Sequence, residues 1–141
     1  MNVFLDSSVF VAVFYQDHKF HKNSVDLFER CSKDNASCAA HSIAEVYSTL
    51  TGVPGKDRTT RETALLYLQD IRARFNLVTL TAEEYLKGVE RTASVGVIGG
   101  GIYDSLIAQM ALKANAETIY TWNIKHFTRL GPEIARRVAT P

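Results

Sequence analysis

Asp6, Glu45, Asp104 and Asn123 carry the chemistry that this sequence suggests. Each sits where a predicted strand ends or near where a predicted helix begins. In an open parallel α/β sheet the ligand crevice forms outside the carboxyl ends of the strands, so polar side chains at successive strand-to-helix junctions converge there. Three carboxylates and an amide gathered in that way would bind a hard divalent cation through oxygen.

Each position also has a plainer explanation. Asp6, followed by Ser7 and Ser8, suits a helix N-cap, because an Asp oxygen accepts from the first free amides. Ser42-Ile43-Ala44-Glu45 fits a capping box, as do Thr59 to Glu62 and Thr81 to Glu84. A pattern that recurs so often carries little information, and on pattern alone Glu45 reads as a capping residue. Asn123 alone is a turn residue. Asp104 is harder to set aside, since Ile102 to Leu112 is apolar around most of the helix circumference. An ionised carboxylate there loses several kcal/mol of hydration, roughly, unless a cation, hydrogen bonds or a raised pKa relieves it. The helix macrodipole returns only about 0.3–1 kcal/mol.

The elements that must position these residues follow from pattern. Val3-Phe4-Leu5 is a strand stopped by Asp6. A helix is predicted from about Lys19 to Lys33, with Val25 and Phe28 inward, then a strand at Ser37 to Ala40. Ile43, Val46, Tyr47 and Leu50 form a helical stripe that Gly52 and Pro54 end. Thr59 to Phe75 reads as a helix with Ala64, Leu65, Leu68 and Ile71 inward, followed by a strand at Leu77 to Leu80. Further helices run from Thr81 to Ser94 and from Ile102 to Ala114, with strands at Thr118 to Thr121 and Arg137 to Ala139. Alternation of this kind indicates a parallel sheet covered on both faces.

Composition narrows the classes. A chain of 141 residues is about one domain, here read as residues 1–141. No apolar run approaches a membrane span and the first residues lack an export signal, so a soluble cytoplasmic protein is expected. A net charge of +1 argues against nucleic-acid binding by bulk charge. Cys31 and Cys38 have neither metal-ligand spacing nor the number of a disulfide framework, and read as reduced packing residues.

Taken in order, Val3-Phe4-Leu5-Asp6-Ser7-Ser8, Ala44-Glu45-Val46, Gly101 to Ala108 with Asp104, and Thr121 to Phe127 with Asn123 resemble a PIN domain, specifically the VapC-type toxins of bacterial toxin–antitoxin pairs. The resemblance covers essentially the whole chain. It implies a three-layer α/β/α fold with a five-stranded parallel sheet, and a cytoplasmic Mg²⁺- or Mn²⁺-dependent endoribonuclease that hydrolyses phosphodiester bonds with an activated water. It also implies inhibition by a cognate VapB-type antitoxin, and a homodimer. The family's acids carry over to Asp6, Glu45 and Asp104, with Asp6 and Asp104 as principal metal ligands and Glu45 as ligand through water or base. The fourth, often Asp, falls on Asn123, a departure that removes one negative charge. Ser7, Thr121 and Asn123 are expected to position water or phosphate, and Lys56, Arg58, Arg61 and Lys125 to contact RNA.

Alternatives of other kinds remain open at this point. They are an RNA-processing PIN nuclease outside a toxin pair, or a non-catalytic PIN relative that binds RNA or protein. A phosphoacceptor receiver is disfavoured because Leu80, not Asp, ends the third strand. A dehalogenase-type phosphatase wants a second acid where Ser8 stands.

Overall fold

The computed structural model describes residues 2–141 and is built on five parallel strands in the order β3-β2-β1-β4-β5. These are β1 (Val3–Leu5), β2 (Ala36–Ala39), β3 (Asn76–Val78), β4 (Thr118–Tyr120) and β5 (Val138–Ala139). The helices are α1 (Ser7–Phe14), α2 (His21–Glu29), α3 (Ala40–Gly52), α4 (Arg61–Arg74), α5 (Ala82–Ser94), α6 (Gly101–Lys113), α7 (Ile124–Thr128) and α8 (Pro132–Ala135). The expected three layers are present. Val3 and Leu5 point into a core shared with α1 to α4, whereas Phe4 points to the other face, against Ile107 and Ala108 of α6 and Phe127 of α7. Opposite directions for successive side chains are the pleat at work, and burial on both faces is why β1 is wholly apolar.

The strand order reverses between β1 and β4, which are paired with Leu5 opposite Tyr120. Such a reversal opens a crevice at the strands' carboxyl ends. Asp6 N donates to Tyr120 O at 2.9 Å, so the residues that follow the two strands emerge side by side.

Several expectations change. Ser7 to Phe14 is a helix that no periodicity announced, and the helix expected from Lys19 to Lys33 is the shorter α2. Leu65 is 54 % exposed rather than inward, because α4 turns only Ala64 and Ile71 fully into the core. Thr60, not Thr59, caps α4, accepting from Thr63 N at 3.1 Å, while Thr81 and Glu84 do form a capping box. Cys31 and Cys38 are buried free thiols, and burial pushes them up to about 11 and about 12.

Among the described residues, no helix is long and apolar enough to cross a membrane.

Candidate metal centre

A crevice of about 290 Å³ at the carboxyl ends of β1 and β4 is lined by Asp6, Ser7, Glu45, Asp104 and Asn123, together with Ser8, Val11, His18, Thr49 and Trp122. The four residues singled out by type and spacing therefore meet. A larger groove of about 700 Å³ runs along the edge strand β3, past Asn76, Lys113 and Glu117. It has no comparable gathering of acids, so the smaller crevice is the functional candidate.

Asp6 sits at the floor. It is the N-cap of α1, and its Oδ2 accepts from Ser8 Oγ at 2.8 Å, Thr121 Oγ1 at 2.9 Å and, longer, Ser8 N at 3.4 Å. The capping explanation is thus correct and incomplete, since the same carboxylate that caps α1 also lines the crevice, held there by Ser8 and Thr121. Burial pushes the Asp6 pKa above its ordinary value, and the Ser8 and Thr121 hydroxyls oppose that shift. Thr121 is itself fully buried and accepts from Asn123 N at 2.9 Å. Asp6 and the turn bearing Asn123 are therefore coupled through one hydroxyl.

Glu45 does not cap its helix. Ala39 occupies the N-cap of α3 without a side-chain bond, and Ser42 lies inside the helix, fully buried. Ser7 Oγ approaches Ser42 Oγ and Glu45 Oε1, both at 2.8 Å. One proton serves one donor bond at a time, so Ser42 completes the network by donating or accepting as Ser7 requires. Glu45 is held toward α1 from the outer side of its own stripe.

Asp104 enters from the first turn of α6, where it is partly buried. His126 Nδ1 of α7 lies 3.3 Å from its Oδ2. Burial raises the Asp104 pKa first, and the charge of Asp6 adds to it; His126 opposes them, Glu45 raises it further and Arg129 lowers it. The carboxylates are thus near enough to sense each other's charge. Among the described residues, however, no three acid, His or Cys side chains form a ready-made metal cage. The expected set Asp6, Asp104 and Glu45 shares a crevice, yet each member is held by its own partner: Ser8 and Thr121, His126, and Ser7. An all-oxygen donor set of carboxylates, hydroxyls and an amide still fits a hard cation, and Mg²⁺ in particular takes few direct carboxylates and keeps its waters.

The basic residues divide. Arg58 and Arg61 border a separate groove with Tyr47, Thr51 and Glu62, and Arg58 Nε is bonded to Val53 O at 3.0 Å. Lys56, in the 3-10 turn Gly55–Asp57, is exposed beside them. None of the three enters the crevice. Lys125 is exposed on α7, two residues after Asn123. Ser8, Ser42 and His18 carry parts of the site that residue type alone did not single out. For Ser42 the available signal was a small polar residue on an otherwise apolar helix face.

Comparison with known proteins bears on the family and the fold. Ribonuclease VapC27 of Mycobacterium tuberculosis is 29% identical over 113 residues, covering 80% of this chain and 79% of that protein. VapBC2 from Rickettsia felis, solved bound to a DNA fragment from its promoter, superposes with a TM-score of 0.68 at 20% identity, over 100% of this chain and 99% of that one. The sarcin–ricin-loop-cleaving toxin VapC20 of Mycobacterium tuberculosis gives 0.68 at 15% identity, over 86% and 90%. At such identities the two structures speak for the fold alone. The PIN domain family, in contrast, matches residues 3–131 of the sequence, nearly its whole length and every element that contributes to the crevice, and the chain belongs to that family.

Proposed function

We propose that this PIN domain is a divalent-metal-dependent endoribonuclease, the toxin half of a VapBC-type toxin–antitoxin pair acting in the cytoplasm. The observation that carries the reading is the convergence of Asp6, Glu45 and Asp104 on one crevice. One relative is named a ribonuclease, and the fold is shared with a VapBC2 complex and with a toxin that cleaves the sarcin–ricin loop.

Asp6 and Asp104 would hold the cation, Mg²⁺ or Mn²⁺. When bound, that cation neutralises charge on the scissile phosphate and makes water a competent nucleophile near neutral pH. Glu45, steadied by Ser7, takes the proton of the attacking water. Thr121 fixes the Asp6 carboxylate, and Asn123, exposed at the rim, orients the phosphate or the water. Lys125 lies beside it for the RNA backbone, with Lys56, Arg58 and Arg61 farther along the path from α3.

The antitoxin would meet the same acids. A guanidinium offers a planar fork of donors to clustered carboxylates and competes with a cation for their charge. A second copy of the chain would cover the apolar residues that α5 leaves bare, Tyr85 at 40%, Leu86 at 67% and Val89 at 48% exposure.

The test is a titration of the purified chain with Mg²⁺ and Mn²⁺ against single-stranded and hairpin RNAs, repeated after addition of a small protein copurified from the native operon. Cleavage that needs the metal and stops with the small protein is expected. Cleavage unaffected by chelation excludes the metal, and an isolated chain harmless to its host with no copurifying protein excludes the toxin assignment. Asn123→Asp is expected to lower the metal concentration giving half-maximal activity, because it restores an anionic oxygen. If metal dependence stays fixed while Asn123→Ala loses turnover, Asn123 acts on substrate instead.

A further inference from the structure

One wall of the acidic crevice is aromatic, and metal-assisted hydrolysis gives it no task. His18, in the turn between α1 and α2, and Trp122, two residues after β4, line the crevice together with Asp6, Glu45 and Asp104. Both rings are fixed from behind. The backbone N–H of Phe20 donates to His18 Nδ1 at 3.1 Å, which requires that nitrogen to be unprotonated and leaves the proton of the neutral ring on Nε2. Burial, then the charges of Lys19 and His21, push the His18 pKa below its ordinary value, in the same sense.

Trp122 is anchored twice. Its backbone N–H donates to Ser8 Oγ at 3.0 Å and its Nε1 to Ser24 Oγ at 2.8 Å. Phe20 stacks on it with ring centroids 3.9 Å apart and planes within 8°, and His18 leans on Phe20 at 5.8 Å. Lys19 is exposed and carries its ammonium 4.8 Å from the Phe20 centroid. Among the described residues no hydrogen bond joins His18 to any of the carboxylates, so the ring is not part of their proton network.

The facing walls hold Asp6, Glu45 and Asp104, which repel a phosphate placed deep against His18. A neutral base meets no such penalty. Unpaired nucleotides are recognised by packing of the base on aromatic or histidine rings, by hydrogen bonds to its edge, and by cations along the backbone. The wall offers ring surface and an Nε2–H donor, and Lys19, exposed and next to His18 in the chain, supplies a nearby cation.

We infer that His18 and Trp122 form a subsite for one unpaired nucleobase adjoining the cleaved phosphodiester, with Lys19 on the neighbouring phosphate. The inference rests on the ribonuclease reading of the crevice and adds to it a determinant of substrate choice.

Trp122 is the chain's only tryptophan, so its emission reports on this wall directly. The binding arm titrates an Asp104→Asn protein, in Mg²⁺, with a single-stranded hexaribonucleotide and with versions carrying one abasic residue at each position in turn. Quenching by the intact RNA is expected, with affinity falling about tenfold when one particular base is missing and by a similar factor in Asp104→Asn, His18→Ala, as loss of one stacked base implies. The cleavage arm compares kcat/KM of the unmutated chain and His18→Ala on intact RNA and on the RNA abasic at that position. A loss of about tenfold on the intact RNA only, partly recovered by His18→Gln, which keeps a donor but not the ring, supports the subsite.

Equal losses on both RNAs would mean that His18 merely shapes the fold, and would overturn the inference. So would an abasic walk on the unmutated chain that finds no sensitive position, a measurement needing no substitution at all. Quenching that depends on one base, without cleavage by the unmutated chain, keeps the subsite and removes the ribonuclease reading. Cleavage with neither quenching nor dependence on His18 does the reverse.

Discussion

Asp104→Asn is expected to lower metal-dependent RNA cleavage by about 10²–10³-fold or more, the scale on which removal of one preorganised charged group acts in a catalytic site. The substitution keeps the side chain's shape and its place in the first turn of α6, and removes the charge that the proposed cation would meet. Its effect on stability has the opposite sign. Burial and the neighbouring Asp6 raise the Asp104 pKa in the folded chain above the ordinary 3.8. An acid whose pKa is raised by folding binds protons more tightly when folded, so stability falls as pH rises from about the unfolded value through the folded one. In metal-free buffer at neutral pH, Asp104→Asn should therefore melt at or above the temperature of the parent, and the difference should close below about pH 4. Thermal melts in chelator at two pH values, beside cleavage assays, check both halves. Full activity in a folded Asp104→Asn protein removes Asp104 from the site, whereas an inactive variant that melts early reports only damage.

Phe10→Ala should cost about 3–5 kcal/mol, as truncation of a fully buried aromatic does, against a total of roughly 5–15 kcal/mol for a domain. Phe10 is wholly buried in α1 and meets Phe75 edge-on at 5.0 Å and Phe28 at 6.3 Å. Those contacts tie α1 to α2 and to the end of α4. Because α1 begins with Ser7 and Ser8, which hold Glu45 and Asp6, loosening it should also weaken cleavage. Urea unfolding measures the first effect. A loss under about 1 kcal/mol would mean that the cluster repacks around the gap.

The same helix marks where the sequence became hard to read. Val9 to Phe14 is an unbroken apolar run with three β-branched valines among its first five residues, and periodicity cannot distinguish a buried helix from a buried strand in so short a stretch. Burial against three other helices decides the matter. The longer α5 and α6 were legible because Thr81 opens the first and the glycines at positions 99 to 101 precede the second. Asp6, Asp104 and Asn123 could be found because strand ends in a parallel sheet converge by rule. Glu45 was found with them, but for its pattern the capping box was the better explanation; only the contact from Ser7, across from another helix, separates the two. His18 had no local signature, since its position beside Trp122 depends on how the turn after α1 folds back over β4.

The pairing of β1 with β4 has a consequence for biosynthesis. Asp6 is anchored by Thr121, 115 positions later in the chain, and Ser8 by the same turn. Chains emerge from the ribosome amino end first, at about 5–20 residues per second. While β4 is still inside the exit tunnel, Asp6, Ser8 and Glu45 are already outside, but neither the neighbouring strand nor the hydroxyl that orients Asp6 has arrived. An incomplete chain therefore lacks an organised crevice for most of its translation. On the toxin reading proposed above, the host would be shielded for those seconds by connectivity alone, and the interval would give an inhibitor made alongside time to be present when the site closes.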